Sequence, residues 1–428
     1  MTRGQAAARR IVFFLLSRIS RGQLTLLEVD RTHPREYRFG PGGDDGPTAV
    51  AHVLSPKAWP LLLKGSSGMG ESYAAGLWDS PDLVSLVRIA AVNTEELDAV
   101  RQRVSPLRVP FQRLRSLRNT EEQSKHDISR HYDLGNDLFE LMLDPSMMYS
   151  AAYFAEPGMT LHEAAEAKLA LVCDKLELTA DDHVLEIGTG WGGFAVHAAT
   201  TRGCRVTTTT ISAEQHAYAV ERAAEAGVSD LVTVLLEDYR DLRGEYSSLV
   251  SLEMIEAVGW KDFPTFFAHC SSLLAEDGAM LLQAITMDDR AYEVEKLSKS
   301  FIRTMIFPNG CLPSQEVIAR CVSRRTDLRM AHHEDLTADY ATTLAHWRGN
   351  VEANAEQLDA LGYDERFRRL WRMYLCYCEG GFAERRIGVG QTLLAKPGWR
   401  GRVPATALAA KLGDLEAASG APPRWATR

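Results

Sequence analysis

Short apolar runs alternate with helical segments through the middle of the chain. The apolar runs cover residues 183–187, 204–211, 231–236, 247–252 and 279–285, and the helical stretches lie near residues 163–178, 192–202, 213–226 and 262–275. Continuous apolar runs are typical of strands buried on both faces, and helices of this length connect parallel strands. The pattern predicts an α/β fold with a mostly parallel sheet, whose ligands bind at the carboxyl ends of the strands.

One predicted strand leads directly into a glycine turn and a helix. Because glycine has no Cβ, such a turn brings the backbone close to a ligand at a helix N-terminus. Gly188, Gly190 and Gly193 satisfy the dinucleotide pattern Gly-x-Gly-x-x-Gly, but the acidic residue expected about 20 positions later is missing. Glu186 suits an amino or hydroxyl group and would repel a pyrophosphate. The turn therefore favours S-adenosylmethionine over a dinucleotide, with a turn that binds no ligand as the third interpretation.

The N-terminal segment is basic and amphipathic. Residues 1–27 carry five arginines and no acidic residue around the apolar run 11–16. This run is much shorter than the roughly 20 residues that span a bilayer, and no cleavage site of a signal peptide follows it. The segment predicts a short helix that either lies on an anionic membrane surface or packs on its own domain.

Residues 1–94 are predicted to form a small α+β N-terminal domain. Alternating apolar residues after Gly22 indicate strands, and Gly40 to Pro47 reads as a turn. Residues 55–92 look helical, with a break at Gly65-Ser66-Ser67-Gly68. No chemistry is visible in this region.

A basic helical linker is predicted over residues 95–130. Residues 101–120 contain six arginines and no acidic residue, so the linker is either a solvated face or a second segment for the membrane surface. The alanine-rich tail 401–428 is predicted to be mobile at its end.

The composition of the 428-residue chain is that of a globular protein, with 45% hydrophobic and 25% charged residues. The net charge of −9 argues against a general nucleic-acid binder. Seven cysteines occur without a Cys-x-x-Cys pair, so neither a metal site nor a disulfide framework is indicated. Reduced thiols in the cytoplasm are the expectation.

A series of motifs follows the predicted linker. They are His131 to Phe139 with Leu143 to Phe154, the glycine turn, Ile211 to Gln215, Glu237 to Asp241, Glu253 to Gly259, Ile306 to Ser314, Asp339 to Leu344, and Gly381-Phe382. In this order they resemble the cyclopropane-fatty-acyl-phospholipid synthases and the related mycolic acid methyltransferases, over about residues 20–395. The resemblance implies a Rossmann-like class I S-adenosylmethionine-dependent methyltransferase fold over residues 131–400.

The resemblance also implies where the cofactor binds. Its contacts are expected on Tyr149, Ser150, Gly188, Gly190, Ile211, Gln215 and Glu237. Glu186 is added for its carboxylate, and Leu236 and Ile211 offer apolar contacts to the adenine faces. The other interpretation of Glu237 is a plain surface acid.

By the same resemblance, the reaction is methyl transfer to the cis double bond of an acyl chain on a membrane phospholipid, through a carbocation. Such chemistry requires positioning and a dry site. Aromatic residues are available to line an acyl tunnel and to stabilise a cation, although each also suits a plain core position. They are Phe154, Phe301, Phe307, Trp347, Trp371, Tyr374 and Tyr377.

A base must then remove a proton, and here the chain departs from the best-known members. These are understood to hold a bicarbonate near a cysteine, a glutamate, a histidine and a tyrosine. Glu256 and Tyr340 match, whereas Ala151 stands at the cysteine position and Gln283 at the histidine position. Glu253 stands where many members carry glycine. Gln283 can still donate and accept hydrogen bonds, so an anion site without thiol or imidazole is expected.

The altered base site bears on the product. Direct loss of a proton from the added methyl closes a cyclopropane ring, whereas a prior hydride shift gives an exocyclic methylene. Ala151 favours the branch of the family that makes 10-methylene, and eventually 10-methyl, chains. Ring closure is the alternative, because relatives believed to make rings also carry the Glu-Met-Ile-Glu-Ala-Val-Gly motif and the glutamine.

Further expectations concern partners and location. Reduction to a methyl branch needs a hydride donor, and with a single glycine turn in the chain we expect a separate flavin or NADPH reductase. We expect a cytoplasmic protein, peripheral on the inner face of the membrane; a homo-oligomer is left open. A lipid-binding protein on a degenerate methyltransferase is the non-enzyme alternative, disfavoured because the glycine turn, Gln215 and Glu237 are all present.

Overall fold

The computed structural model describes residues 1–29, 34–42, 46–94, 135–308 and 310–402. Three predicted features lie wholly or partly outside the described residues. They are the linker 95–130, the start of the first motif at His131, and the tail beyond Arg402. Two sheets form within these ranges, one of four strands and one of seven.

The four-stranded sheet belongs to the N-terminal part of the chain. Its strands are β1 (Gln23–Glu28), β2 (Arg35–Phe39), β3 (Thr48–Val53) and β4 (Trp78–Asp79). They lie in the order β2-β1-β3-β4, and only the β1–β3 pair is parallel. The helices of this region are α1 (Arg3–Leu16), α2 (Ala58–Leu62), α3 (Ser66–Ala74) and α4 (Leu83–Val92).

The helical break predicted at residues 65–68 is shorter than expected. Gly65, with a φ of 73°, precedes α3, and Ser66 already begins the helix. Gly68 lies within α3, where a Cβ would come to 1.8 Å from the carbonyl oxygen of Leu61. Glycine is needed there for close packing of α3 on α2 rather than for a turn.

The seven-stranded sheet carries the Rossmann-like topology. Its strands are β5 (His183–Ile187), β6 (Arg205–Thr210), β7 (Val232–Leu236), β8 (Tyr246–Leu252), β9 (Leu274–Met287), β10 (Arg329–Asp335) and β11 (Ile387–Ala395). The order is β10-β11-β9-β8-β5-β6-β7. The pairs from β9 to β7 are parallel, and β11 pairs antiparallel with both β9 and β10.

Helices accompany this sheet. They are α5 (Asn136–Met142), α6 (Leu161–Lys175), α7 (Gly193–Arg202), α8 (Ala213–Glu225), α9 (Phe263–Ser272), α10 (Asp289–Glu295), α11 (Gln315–Arg325), α12 (Thr337–Ala353), α13 (Ala355–Ala360) and α14 (Glu365–Ala383). Short 3₁₀ helices cover Tyr239–Asp241 and Ile255–Ala257, and a π-helix covers Ile302–Ile306.

The predicted α/β fold is confirmed, and the five predicted strands are β5 to β9. The hydrophobic pattern did not reveal β10 and β11. The sequence of β10, Arg-Met-Ala-His-His-Glu-Asp, is polar because this strand lies at the sheet edge, and Gly388 and Gly390 interrupt the apolar run of β11. β9 also begins earlier than predicted, at Leu274, because the acidic residues Glu276 and Asp277 interrupt its apolar pattern.

Helix α14 joins the N-terminal region to the larger sheet. Arg369 on α14 donates hydrogen bonds to the carbonyl oxygens of Tyr73 and Trp78, at 2.8 and 2.9 Å. A Cβ at Gly70 of α3 would lie 2.2 Å from the ring of Phe301, so α3 packs closely against that ring. One hydrophobic core contains side chains from both regions, which makes the N-terminal region part of the wall around the aromatic residues.

Helix α1 docks through one face and leaves apolar residues on the other. Ala8 and Val12 are buried, and Arg9 forms a two-bond ion pair with Glu28 of β1, at 2.5 and 2.9 Å. Ile11 and Phe14 are 49% and 58% exposed. No helix of the described residues is both long and apolar enough to cross a membrane.

Candidate active site

The site residues gather at the carboxyl ends of the parallel strands. β5 pairs with β6 on one side and with β8 on the other, so the chain connections diverge at β5. Ligands of open α/β sheets bind at such a switch point. The segments that follow β5, β6 and β8 carry Gly188, Gln215 and Glu253, and the loop before α6 adds Tyr149 and Ser150.

The glycine turn after β5 is tied to the neighbouring strand. The N–H groups of Gly188 and Thr189 donate to the carbonyl oxygen of Thr209, at 3.1 and 3.0 Å. Gly188 and Gly190 have φ angles of 103° and 51°, which favour glycine. A Cβ at Gly190 would meet no heavy atom of the described residues within 4 Å. The turn therefore fits the close approach of a nucleoside cofactor.

Gln215 is held rigidly at the end of β6. Thr210 Oγ1 donates to Gln215 Oε1 at 2.9 Å, and Ser212 caps helix α8 by accepting from the Gln215 N–H. Gln215 is buried, and Ile211 beside it is half-buried. Both residues border the crevice where the sequence placed the cofactor.

The end of β7 is more open. Leu236 and Glu237 are exposed, and the Glu237 carbonyl oxygen accepts from Thr209 Oγ1 at 2.6 Å. The buried acid of this motif is Asp238, which accepts two hydrogen bonds from the Arg240 guanidinium at 2.7 Å each. The Glu237 side chain is thus solvent-exposed at this strand end, while Asp238 stabilises the turn.

Glu186 and Lys168 are two buried titratable residues near the glycine turn. Thr208 Oγ1 donates to Glu186 Oε2 at 2.6 Å and also contacts Thr189 Oγ1 at 2.7 Å. Lys168 Nζ donates to Ser150 Oγ at 3.0 Å. Burial raises the pKa of Glu186 and lowers the pKa of Lys168, and the charge of each opposes the shift of the other.

Lys168 was not identified from the sequence. It lies on α6 among the buried residues Leu161, Ala165, Val172 and Lys175, which recur at helical spacing. The available signal was a lysine within the apolar stripe of an amphipathic helix. Because Ser150 and Glu186 are both predicted cofactor contacts, Lys168 connects the two sides of the cofactor crevice.

The loop that carries Tyr149, Ser150 and Ala151 is anchored on α12. The N–H of Ala152 donates to Thr343 Oγ1 at 3.1 Å, and the N–H of Phe154 donates to Asp339 Oδ1 at 2.9 Å. These bonds explain the Asp339 to Leu344 motif, whose polar side chains hold the loop while Tyr340 faces the site.

The side chain of Glu253 is the centre of the predicted catalytic group. Glu253 Oε1 accepts from the Ala151 N–H and from Gln283 Nε2, both at 2.8 Å, and the Tyr340 hydroxyl also hydrogen bonds to this carboxylate. The φ of Glu253 is 54°, a conformation that strains every residue except glycine. A positive φ favours glycine, which is the residue that the family resemblance implies for many members at this position. Glu253 therefore brings its carboxylate into the site with a strained backbone conformation.

Glu256 lies next to Glu253 and has few partners. Its Oε1 accepts from the Ile285 N–H at 2.6 Å, whereas its buried Oε2 has no hydrogen-bond partner among the described residues. Burial and the charge of Glu253 raise the pKa of Glu256 to about 8. Burial also raises the pKa of Glu253, and its hydrogen bonds with Gln283 and Ala151 oppose that shift. Because Glu253 has more donors than Glu256, we expect the negative charge of the pair on Glu253.

The predicted aromatic residues separate into two sets. Phe307, Trp347, Trp371 and Tyr374 join Tyr149 in one network, in which the Tyr149 and Tyr374 hydroxyls are 2.8 Å apart. The second set lies away from Tyr149: Phe154 stacks on His346, and Phe301 packs on Tyr377.

Tyr340 links the aromatic network to the acids. Its ring packs on Trp347 and on Phe382 of the Gly381-Phe382 motif, with centroids 5.9 and 4.4 Å apart. Trp347 Nε1 is buried without a partner among the described residues. The network therefore borders the carboxylates directly.

The residues present do not fit a bicarbonate ion. Three of the positions that the family resemblance implies for this ion are 151, 283 and 340. All three contact the Glu253 carboxylate instead. A second anion at this position would lie against Glu253 and Glu256 in a buried site, which is electrostatically unfavourable.

The glycine turn allows a matched test of cofactor binding. We expect Gly190→Ala to weaken S-adenosylmethionine binding by about tenfold or more, because the added Cβ projects into the crevice. Gly227→Ala is the control, since Gly227 also has a positive φ, of 68°, and open space around it, but lies after α8. Isothermal titration measures both variants; equal affinities would remove Gly190 from the cofactor site.

Comparisons with known proteins identify the family of the chain. The sequence profile of the mycolic acid cyclopropane synthetase family matches residues 119–392. The tuberculostearic acid methyltransferase UfaA1 of Mycobacterium tuberculosis is 35% identical over 393 residues, covering 90% of this chain and 91% of the relative. The cyclopropane-fatty-acyl-phospholipid synthase of Escherichia coli is 37% identical over 336 residues, covering 78% and 85%.

A solved structure is also similar. The mycolic acid cyclopropane synthase CmaA1, in complex with SAH and CTAB, superposes with a TM-score of 0.60 at 31% identity, covering 64% of this chain and 98% of that one. The profile match, the relatives and the Rossmann-like sheet together establish that the chain belongs to the mycolic acid cyclopropane synthetase family and is an S-adenosylmethionine-dependent C-methyltransferase.

Proposed function

We propose that this enzyme methylates the cis double bond of an unsaturated acyl chain on a membrane phospholipid and forms a 10-methylene branch. The observation that carries the proposal is the buried Glu253 carboxylate, hydrogen-bonded by Ala151, Gln283 and Tyr340. It provides a base that is part of the protein. The similarity to a tuberculostearic acid methyltransferase over 90% of the chain supports the same product.

S-adenosylmethionine, when bound, supplies the methyl group. We place it in the crevice bordered by Ser150, Gly188, Gly190 and Gln215, with the apolar Leu236 side chain available to the adenine. The residues of this crevice include backbone amides, a buried carboxylate and apolar faces, which suits a nucleoside better than a pyrophosphate.

The aromatic network supports a dry position for the acyl chain. Methyl addition leaves a carbocation on the chain, which water would quench and which aromatic faces stabilise. Tyr149 and Tyr340 both pack on Trp347, and Tyr340 interacts with the Glu253 carboxylate. We place the reacting double bond against these three rings, between the cofactor crevice and Glu253.

Glu253 and Glu256 have different roles in this proposal. The charged Glu253 takes the proton and also stabilises the cation electrostatically. Glu256, with its pKa raised to about 8, stays largely protonated at neutral pH. The neutral Glu256 adds no second negative charge beside Glu253.

The hydrogen bonds of Glu253 favour the branched product. Burial raises the pKa of Glu253, and the two N–H groups bound to Oε1 oppose this shift, so the carboxylate is a weaker base than it would be without them. Slower loss of the proton allows a hydride shift along the acyl chain first. The proton then leaves the added methyl carbon, and the electron pair of that C–H bond forms the exocyclic double bond.

Cyclopropane formation is the second candidate. It is favoured by the match of Glu256 and Tyr340 to the family pattern and by the 37% identity with the Escherichia coli synthase. Both products come from the same substrate and have the same mass.

The product can be identified directly. In cells rich in oleoyl phospholipid that express this chain, we expect extracted acyl esters with vinylidene protons in the NMR spectrum. Cells that carry the empty vector are the control. Upfield cyclopropyl protons in place of vinylidene protons would refute the branched product and leave the ring as the answer.

We also propose a peripheral position on the cytoplasmic face of the membrane. The exposed stripe of α1 combines Ile11 and Phe14 with Arg3 and Arg10. Arg18, which follows α1, places its guanidinium 4.9 Å from the centroid of the Phe14 ring. Exposed apolar side chains among arginines suit a surface of anionic lipid.

We assign saturation of the methylene group to a separate flavin or NADPH reductase.

A further inference from the structure

A row of polar side chains, most of them buried, crosses the sheet toward Glu253, the proposed base. Glu334 of β10 pairs with Gln391 of β11, and Gln391 pairs with Gln283 of β9. Paired residues on adjacent strands place their side chains on the same face. Gln283 in turn pairs with Leu252 of β8, the residue before Glu253. The row therefore connects the sheet edge with the proposed base.

A lysine begins this row on the side away from Glu253. Lys175, the last residue of α6, is 1% exposed, and its Nζ donates to Glu334 Oε2 at 2.5 Å and to Gln391 Oε1 at 2.6 Å. Gln391 Nε2 donates to Gln283 Oε1 at 3.0 Å. Gln283 Nε2 then donates to Glu253 Oε1 at 2.8 Å and to the Ala151 carbonyl oxygen at 3.2 Å.

The direction of these hydrogen bonds follows from chemistry. An ammonium group has donors only, so the amide oxygen of Gln391 must face Lys175. The amide nitrogen of Gln391 then faces Gln283, which must present its own oxygen. The remaining Gln283 N–H groups point at Glu253 and at a carbonyl oxygen that only accepts. Both ends of the row impose the same orientation on the two glutamines.

We infer that Lys175 is a positioning residue, which acts through Gln391 to hold the Gln283 N–H toward Glu253 and so keeps Glu253 in its charged form. The inference rests on the proposed role of Glu253 as base. Without Lys175 only the Ala151 carbonyl still imposes this orientation, so the two amides can turn over more readily. A Gln283 oxygen that faces Glu253 would favour the protonated acid. Lys175 thus controls a base from which it is separated by two side chains.

Other charged and titratable groups surround the two ends. Facing Glu253 are Lys168, Glu256, Tyr340 and Tyr374, and facing Lys175 are Glu334, His332 and His333. A test must therefore separate the direction of the hydrogen bonds from the loss of a positive charge.

The test is the pH dependence of turnover in the full-length enzyme. The base is charged above its pKa and protonated below it, so turnover falls on the acid side. We expect Lys175→Met to move this acid limb upward by about one pH unit, which is about tenfold in rate at a fixed acidic pH. At high pH the rate returns toward that of the parent enzyme, and the affinity for S-adenosylmethionine is unchanged.

Two further variants make the test specific. Gln391→Leu breaks the row without removing a charge, so we expect the same shift, and the double variant should shift no further than either single one. Glu334→Gln still offers an oxygen to Lys175, so its acid limb should stay in place. Removing the negative charge of Glu334 would lower the pKa of Glu253, so a downward shift of similar size in Glu334→Gln would assign the effect to charge and overturn the inference.

The remaining outcomes are also decisive. A Lys175→Met enzyme that loses activity equally at every pH would show a structural role only. If Glu253→Gln abolishes turnover while Lys175→Met leaves the acid limb in place, the inference fails and the proposed function stands. If Glu253→Gln keeps both turnover and the acid limb, the proposed base itself is wrong.

Discussion

Replacing Glu253 with glycine is expected to make this enzyme dependent on bicarbonate. In bicarbonate-free buffer, Glu253→Gly should lower turnover by roughly 10²- to 10⁴-fold, the usual contribution of a general base. The variant leaves the Ala151 N–H, Gln283 and Tyr340 around an anion-sized space. Added bicarbonate should then restore part of the activity, whereas the parent enzyme should not respond to it.

Glu253→Gly is also expected to relieve strain in the backbone of the folded protein. At a φ of 54° glycine is unstrained, so the substitution should relieve about 1 kcal/mol of backbone strain. A loss of turnover by unfolding is therefore not expected, and thermal unfolding measures this directly.

Glu253→Gln is the matched control for the bicarbonate experiment. The amide has nearly the volume of the carboxylate, so it removes the base but leaves no space for an anion. We expect a similar loss of turnover without rescue by bicarbonate. Rescue of both variants, or a parent enzyme that is stimulated by bicarbonate, would contradict the proposal that Glu253 replaces the ion.

Acidic residues in place of Ile11 and Phe14 on α1 are expected to weaken the binding of the enzyme to the membrane. The double variant Ile11→Glu with Phe14→Glu should bind vesicles of dioleoyl-phosphatidylglycerol at least 100-fold more weakly. Burial of each apolar side chain is worth about 1.5–3 kcal/mol, and the new charges repel the anionic lipid. Activity on vesicles should fall in proportion, while activity on detergent-dispersed phospholipid stays within about twofold.

Leu361→Glu is the control for this experiment. Leu361 is 48% exposed, similar to Ile11, but it follows α13 rather than lying on α1. We expect it to bind and turn over vesicles like the parent enzyme. Vesicle co-sedimentation and product formation measure both effects. Unchanged vesicle binding by the α1 double variant would place the membrane contact on another surface.

Much of the fold was predictable because it depends on local patterns. The parallel strands consist mostly of apolar and small uncharged residues, since both faces of the sheet are covered, and their predicted bounds agree with the structure within a few residues. The edge strand β10 is polar and was missed. Its assignment depends on pairing with β11, which lies more than 50 residues later in the chain.

The candidate site was predictable in its members but not in its arrangement. Glu253, Gln283, Tyr340 and Ala151 were all identified from motifs, yet they were expected around a separate anion. In the structure three of them contact the fourth, Glu253. That outcome depends on the positive φ of Glu253, which no sequence pattern reports.

The sequence by itself determined the family, the cofactor class and the α/β fold of this protein, because motifs and hydrophobic periods are local properties of the chain. Only the tertiary structure decided that the Glu253 carboxylate lies among the groups expected to hold an anion. It also decided that Lys168 is buried near those groups and that Lys175 is connected to them through Gln391 and Gln283. Such contacts join residues more than 100 positions apart, such as Gln283 and Gln391. They arise from strand order and helix packing, which the order of residues along the chain does not display.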